Sequence, residues 1–381
     1  MQHMPRHLLS FLVASSIGSQ AAAATFTIAH FGTPPDAQVA IQHAADIWGS
    51  ILVSDVPIKV SVSWTALGTA ALGVTFPNGR KDFLNAPESA TWYATALANS
   101  IAGEELNPGE DDINVYLNSG TNWYLGLDGN TPAGQYDLVS IALHELGHGL
   151  GFVGLAKKVG NEGSLGLLLA SDFAPLITTF PWPDQDTLPG IFDRFLTNTV
   201  SGELISLQNP GTILGTALTS NQVYFNGAYA MAANGGSSVR IYAPSVFALG
   251  SSCVHLNEAT YPPGNPNELM TPFSSAGDAS HWPGPIGLAI MRDIGWTLSP
   301  GVGVEEMSID REITVFPNPV SCELTLRMDP RDPVQTISIT DISGRVVLSV
   351  SGQHRLDVTA LYAGTYVVMS LGARPVRFVK Q

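Results

Sequence analysis

Two histidines four residues apart, with a glutamate directly after the first, carry the most specific chemistry in this chain: His144-Glu145-Leu146-Gly147-His148. On a helix, residues i and i+4 share a face, so both imidazoles can reach one metal ion while Glu145 projects beside them as a base for water. This is the HExxH arrangement of zinc-dependent hydrolysis. It requires a helix, and the preceding run Tyr136-Asp137-Leu138-Val139-Ser140-Ile141-Ala142-Leu143 predicts one, with Asp137 placed to cap its N-terminus. Leu143, Leu146 and Leu150 then face the core, away from the two histidines.

A catalytic zinc takes three protein ligands and keeps a fourth position for water. In the elongated pattern HExxHxxGxxH, a glycine turns the chain after the helix and a third histidine closes the set. Here Gly151 is in place, but the third-ligand position is Gly154, which has no side chain to offer. The ligand must come from elsewhere, or the site is incomplete.

Downstream, Val254-His255-Leu256-Asn257-Glu258 is followed across a Pro/Gly/Asn-rich turn by Asn267-Glu268-Leu269-Met270-Thr271-Pro272 and a closing helix from Pro285 to Trp296. With the helix ending HELGHGLGF, this order resembles the leishmanolysin branch of the metzincins. The resemblance covers the motif helix and the segment from about His255 to Trp296. It implies that His255 is the third zinc ligand and Met270 the methionine of a Met-turn beneath the metal. His281, in Ser280-His281-Trp282, and Glu162, as a carboxylate ligand, are the rival third ligands. Thr271, Pro272 and Phe273 follow the methionine, so the Tyr that some metzincins place there is absent. Family members are also rich in cysteine and carry a pro-segment, whereas this chain has 2 cysteines and no obvious room for one after the export signal.

The elements that must position these residues follow from the patterning. Thr25-Phe26-Thr27-Ile28-Ala29-His30-Phe31 alternates like a short strand. Pro34-Pro35-Asp36 opens a helix whose Ala40, Ala44, Ile47, Trp48 and Ile51 fall on one face. Ile58, Val60, Val62 and Trp64 alternate as the inward side of a half-buried strand, and a second helix is expected from about Glu88 to Ile101, burying Trp92, Ala96 and Leu97. The alternating Asp112–Asn118 run reads either as a sheet edge beside the cleft, where an extended peptide could pair with it, or as an interior strand. The turn Leu127-Asp128-Gly129-Asn130 offers oxygen ligands for a possible calcium ion, though with few carboxylates. From about 156 to 250, Gly, Asn and Ser punctuate short apolar runs, reading as an insertion of loops and short strands between the two parts of the metal site. Within it, Ile191–Leu196 is a local helix or strand whose Asp193 and Arg194 are expected in structural pairs.

With 381 residues the chain accommodates a catalytic domain and a smaller accessory one. A net charge of -15, from 32 acidic and 17 basic residues, argues against nucleic acid or an anionic membrane as partner. Arg6, the apolar run from Leu8 to Ala14 and the alanines through Ala24 read as an export signal, and no later stretch is long and apolar enough to span a membrane. Cys253 and Cys322 fall in different domains, which excludes an intradomain disulfide, and each is expected as a small buried side chain.

After residue 300 the grain changes. Val315–Val320, Leu324–Leu326, Ile337–Ile339, Asp341–Arg345, Leu356–Thr359 and Gly364–Val368 are short alternating segments of a small β-sandwich. Their order resembles the C-terminal sorting domain of the type IX secretion system. That resemblance implies the secretion machinery as partner and passage through the periplasm and outer membrane of a Gram-negative bacterium to the exterior or cell surface.

The expected fold class is α+β: a metzincin-like zincin domain, with a mixed twisted sheet and the motif helix, followed by an all-β sandwich. The expected boundaries are a signal at 1–24, a metallopeptidase domain at 25–299, a linker at 300–305 and the sandwich at 306–381. The expected function is a secreted endopeptidase acting on protein or peptide substrates, with zinc held by His144, His148 and His255 and Glu145 as general base. The alternative is an inactive metzincin scaffold serving as a surface adhesion or binding protein.

Overall fold

Three of the alternating runs form the centre of a sheet. Phe26–Phe31 pairs in parallel with Ile58–Thr65, and Ile58–Thr65 in parallel with Ile113–Asn118. A fourth strand, Gly73–Pro77, joins antiparallel to Ile113–Asn118 and ends the sheet. In this computed structural model the described residues are 22–69, 71–182, 186–300, 314–327, 336–341, 346–351, 354–370 and 376–381. The signal expected at 1–24 therefore lies almost wholly outside them, as does most of the Asp341–Arg345 segment.

Helices Pro35–Ile51 and Leu138–Gly149 cover the sheet. Ala40, Ala44, Trp48 and Ile51 of the first helix are buried, as its periodicity demands. The buried Leu143, Leu146 and Leu150 of the motif helix join Val60, Val62 and Ile113 of the sheet in one core. Burying side chains of this size stabilises the fold by about 1.5–3 kcal/mol each.

One open choice is decided and one expectation changes. Ile113–Asn118 is interior, flanked by strands on both sides, and Gly73–Pro77 takes the edge. Alternation reports which faces of a strand are buried, not its rank in the sheet. The helix expected over Glu88–Ile101 is confined to Thr95–Ala102, and Trp92 lies in the short strand Trp92–Ala94. The cause is tertiary. Trp92 N–H donates to Pro189 O, and Ile191 N–H donates to Trp92 O, so the insertion draws this segment into an extended pairing.

The insertion folds into the same core. It contains the hairpin Ala156–Val159/Glu162–Leu165 and a small sheet ordered Gly202–Glu203, Leu196–Asn198, Val223–Phe225, Val239–Arg240. Two short helices, Thr212–Ala217 and Ala228–Ala233, complete it. Asp293 of the closing helix Gly284–Ile294 accepts hydrogen bonds from Tyr229 N and Ala230 N, tying insertion to helix. Ile191–Leu196 contains a tight helical turn, Phe192–Phe195. Arg194 pairs with Glu88 at 2.9 Å, whereas Asp193 makes no ion pair among the described residues and instead accepts two backbone N–H groups.

The tail forms two sheets, one ordered Thr314–Phe316, Glu323–Arg327, Arg355–Asp357 and the other Val346–Ser351, Thr336–Asp341, Gly364–Ser370, Val376–Lys380. Leu324, Leu326 and Leu356 of one sheet and Ile337, Ile339, Val368 and Phe378 of the other share a core, which makes a sandwich. Both cysteines are free. Cys253 is buried as expected, whereas Cys322 is exposed, because its loop lies outside that core. The chain as a whole is α+β.

Candidate metal centre

The motif helix is fixed at both ends by side chains visible in the sequence. Asp137 Oδ1 accepts Ser140 N–H at 2.7 Å, the capping bond that its position predicts, and also the Ser140 hydroxyl. Along its length Trp48 Nε1 donates to Leu143 O at 2.9 Å, and at its end Trp296 Nε1 donates to Leu150 O at 2.7 Å. Gly151 then adopts φ +116°, a conformation that favours glycine, and the chain reverses so that Phe152 O meets His148 Nδ1 at 2.7 Å.

His255 is brought to this helix from 107 residues beyond His148. Its carbonyl accepts Tyr242 N–H, and Leu256 N–H donates to Met270 O, so the strand-like segment before it and the Met270 turn after it hold it on two sides. Met270 is buried beneath the helix, with its Sδ 2.9 Å from where a Cβ on Gly147 would stand.

The three imidazoles converge. Nε2 of His148 lies 3.0 Å from Nε2 of His144 and 3.0 Å from Nε2 of His255, and the remaining pair is 3.2 Å apart. Each Nδ1 faces a backbone carbonyl: Leu269 O for His144, Phe152 O for His148 and Ser251 O for His255. A carbonyl can only accept, so each Nδ1 carries the proton and each neutral ring turns an Nε2 lone pair inward. Burial and the mutual proximity of the rings keep them neutral. Burial lowers the pKa of His144, lowers that of His148 well below the usual value, and takes that of His255 to about 3.

Three lone pairs aimed at one point repel unless a cation lies between them. Nitrogens at Zn–N distances of about 2.0–2.1 Å on tetrahedral vertices are about 3.3 Å apart, close to the separations here. The donor set therefore fits a zinc-sized, imidazole-preferring ion, with the tautomers fixed by backbone carbonyls. Among the described residues, this is the one cluster of three or more His, Cys, Asp or Glu groups with metal-ligating geometry. The rival ligands lie elsewhere. His281 Nε2 donates to Asp137 Oδ1 at 2.7 Å, at the far end of the motif helix, and Glu162 is exposed on its hairpin. At the turn considered for calcium, Asp128 Oδ1 accepts the Tyr124 hydroxyl and Asn130 N–H, and the described residues form no cluster of three or more metal-ligating groups around it.

Glu145 is buried next to the histidines. Its Oε2 accepts the Thr75 hydroxyl at 2.7 Å, and its side chain lies flat against Gly73, where a Cβ would fall 2.7 Å from Oε1 and 2.8 Å from Cγ. Burial pushes its carboxyl up to about 7, against the opposing pull of Thr75. Gly73 and Thr75 belong to the edge strand, which the sequence pattern does not reveal. The run Gly73-Val74-Thr75-Phe76-Pro77 was their available signal, short and closed by a proline.

Gly154 has a structural cause. Asp193 Oδ1 stands 2.4 Å from where its Cβ would be, so no histidine fits at that position. Oδ2 of Asp193 accepts Leu155 N–H at 2.9 Å and Gly190 N–H at 2.8 Å, and burial raises this carboxyl to about 7.

A cleft of about 600 Å³ runs over the three histidines and Glu145 between the edge strand and the segments 249–255 and 268–280. Along the edge strand, Asn118 N–H donates to Leu72 O and Asn78 N–H to Asp112 O. Antiparallel alternation then directs the backbone of Val74 and Phe76 inward to Ile113–Asn118 and that of Gly73 and Thr75 outward to the cleft.

Comparison with known proteins bears on the tail. Residues 314–373 match the family model described as a secretion system C-terminal sorting domain. Among solved structures, the chain is similar to PorZ, an essential bacterial surface component of the type IX secretion system of Porphyromonas gingivalis, at 19% identity and a TM-score of 0.15. That match covers 18% of this chain and 11% of PorZ. No curated protein matches the chain. By the family match, the tail is a type IX sorting domain, and the chain is a secreted or cell-surface protein that engages the type IX machinery. No described helix is long and apolar enough to cross a membrane.

Proposed function

We propose that the part preceding the sorting domain is a zinc-dependent endopeptidase of metzincin type, in line with its resemblance to the leishmanolysin branch. One observation carries the reading: three Nε2 lone pairs converge beside a buried carboxylate on the floor of a cleft bordered by an unpaired strand edge. His144, His148 and His255 would hold the ion. When bound, zinc supplies Lewis acidity that polarises a carbonyl and lowers the pKa of water.

The chain's own groups supply the rest. The outward N–H and C=O groups of Gly73 and Thr75 can pair with an extended peptide, setting its backbone alongside Glu145. Thr75 holds Glu145 Oε2, so Oε1, which has no partner among the described residues, is the atom that takes a proton from water and returns it to the leaving nitrogen. The backbone carbonyls of Leu269, Phe152 and Ser251 hold the three rings in the ligating tautomer.

The test is Glu145→Gln. This variant should retain one zinc per chain and lose casein hydrolysis by a factor of at least about 100. Undiminished turnover would refute the assignment of Glu145. A wild-type chain that binds zinc and cleaves neither casein nor peptides would favour the binding-protein reading, for which the segment Thr271-Pro272-Phe273 without a Tyr is the supporting feature.

A further inference from the structure

The cleft differs along its length. The motif helix runs in the same direction as the edge strand: its C-terminal Gly149 packs on Ile113, which pairs with Pro77, the last residue of that strand. Its N-terminal end lies by Ser140, where Ser280 N–H donates to the Ser140 hydroxyl, so the polar segment 274–280 walls the end nearer Gly73. At the Pro77 end the insertion supplies an apolar wall. Phe173 meets Phe76 edge-on at 5.1 Å and stacks on Phe180 at 5.9 Å, and Leu176 and Trp182 line the same stretch. Trp182 Nε1 donates to Pro77 O at 2.6 Å, which closes the free edge two residues beyond Thr75. The pairing edge is thereby limited to a few residues and ends on hydrophobic side chains. Phe173, Leu176 and Phe180 are only half-buried, so the wall keeps apolar surface open to the cleft.

A peptide that pairs antiparallel with Gly73–Thr75 has its N-terminal part at the Pro77 end. Antiparallel pairing is the more stable geometry per residue. With a rise of about 3.3 Å per residue, the step from Thr75 to Pro77 carries the peptide roughly 7 Å from Glu145 to the wall. We propose that the wall built by residues 168–182 is a specificity subsite that takes a large apolar side chain, aromatic or leucine-like, one to three residues upstream of the bond to be cut. The insertion thus has a role in substrate choice beyond closing the fold. This inference rests on the peptidase reading.

The experiment is cleavage-site profiling of the zinc-loaded full chain on a proteome-derived peptide library, with Leu176→Lys and Phe180→Ala alongside the wild type. Phe, Tyr, Leu or Met should be enriched within three residues upstream of the cut. On paired synthetic peptides, kcat/KM for an upstream Phe over Ala should differ by roughly 10- to 100-fold, and each variant should reduce that ratio to a few-fold while still cleaving the Ala peptide. The wild-type profile decides the direction even if a variant folds poorly. Cleavage with no upstream preference, with the preference downstream, or with an unaltered ratio in two folded variants would overturn the subsite and leave the peptidase reading standing. A chain that binds no zinc and cleaves nothing overturns both.

Discussion

Adding one methyl group at Gly73 tests whether catalysis depends on the placement of Glu145. In Gly73→Ala the new Cβ would lie 2.7 Å from Oε1, 2.8 Å from Cγ and 2.9 Å from Cδ of Glu145. Carbon contacts settle near 3.5–4.0 Å, so something must yield by roughly 0.6–1 Å. The strand is held by its ladder to Ile113–Asn118, whereas among the described residues Glu145 is held at its tip by the Thr75 hydroxyl alone, so the carboxylate moves. A misplacement of about 1 Å at a reacting group costs on the order of 100-fold, or about 2.7 kcal/mol of transition-state stabilisation. The expectation is a fall in kcat of roughly 10- to 100-fold. Zinc content should stay at one per chain and the melting temperature should fall by no more than a few degrees, because the methyl displaces a flexible side chain and the unfolded-state gain from replacing glycine offsets part of that cost. The assay is kcat on a fluorogenic peptide, with metal analysis and a thermal melt on the same sample. Full activity with the methyl in place would refute the reasoning, and so would a loss of activity explained by lost zinc.

His255→Ala should lower zinc affinity by more than the 10- to 100-fold typical of an outer-shell loss, leaving metal-free protein after dialysis with unchanged circular dichroism; stoichiometric zinc in that variant would remove His255 from the ligand set. Asp193, with its folded pKa raised to about 7 from 3.8, holds a proton that the unfolded chain releases, so its contribution to stability is full below about pH 4 and is lost as pH rises through 7. Asp193→Asn does not titrate, so its urea midpoint should gain on the wild type between pH 5 and pH 8. Parallel curves for the two chains would show that this carboxyl is not neutral in the folded state.

The parts of the site legible in the sequence were those set by local geometry. His144 and His148 follow from helical spacing, and Asp137 as N-cap follows from its position before an apolar run. His255 had no such signal. Its approach is made by the pairing of Tyr242 with His255 and by the Met270 turn, and in the sequence only resemblance to a family pointed to it. The edge strand is hidden in the sequence because five residues bounded by a glycine and ended by a proline give too little alternation to stand out. Its neighbour Ile113–Asn118 was open to reading as the edge because its own pattern says nothing of what lies beside it. Helical spacing accounts for Trp92 locally, but partners almost a hundred residues on, at Pro189 and Ile191, hold it in an extended strand. The apolar wall of the cleft was equally hidden, since Phe173, Phe180 and Trp182 acquire a common face only once the insertion folds.

The displacement of the third histidine from Gly154 to His255 also sets when the metal centre can come into being. Two imidazoles one helical turn apart are available as soon as the helix forms, but the third arrives only after a segment of 107 residues has closed on itself. On the zinc reading proposed above, full-strength metal capture would therefore be a property of the completed fold and would not nucleate it. In the proposed peptidase, a chain whose insertion is not yet packed would have a helix that binds metal weakly and a base with nothing to activate. Metal loading would then follow the packing of the insertion, and the proposed hydrolytic chemistry would begin only once that packing is complete.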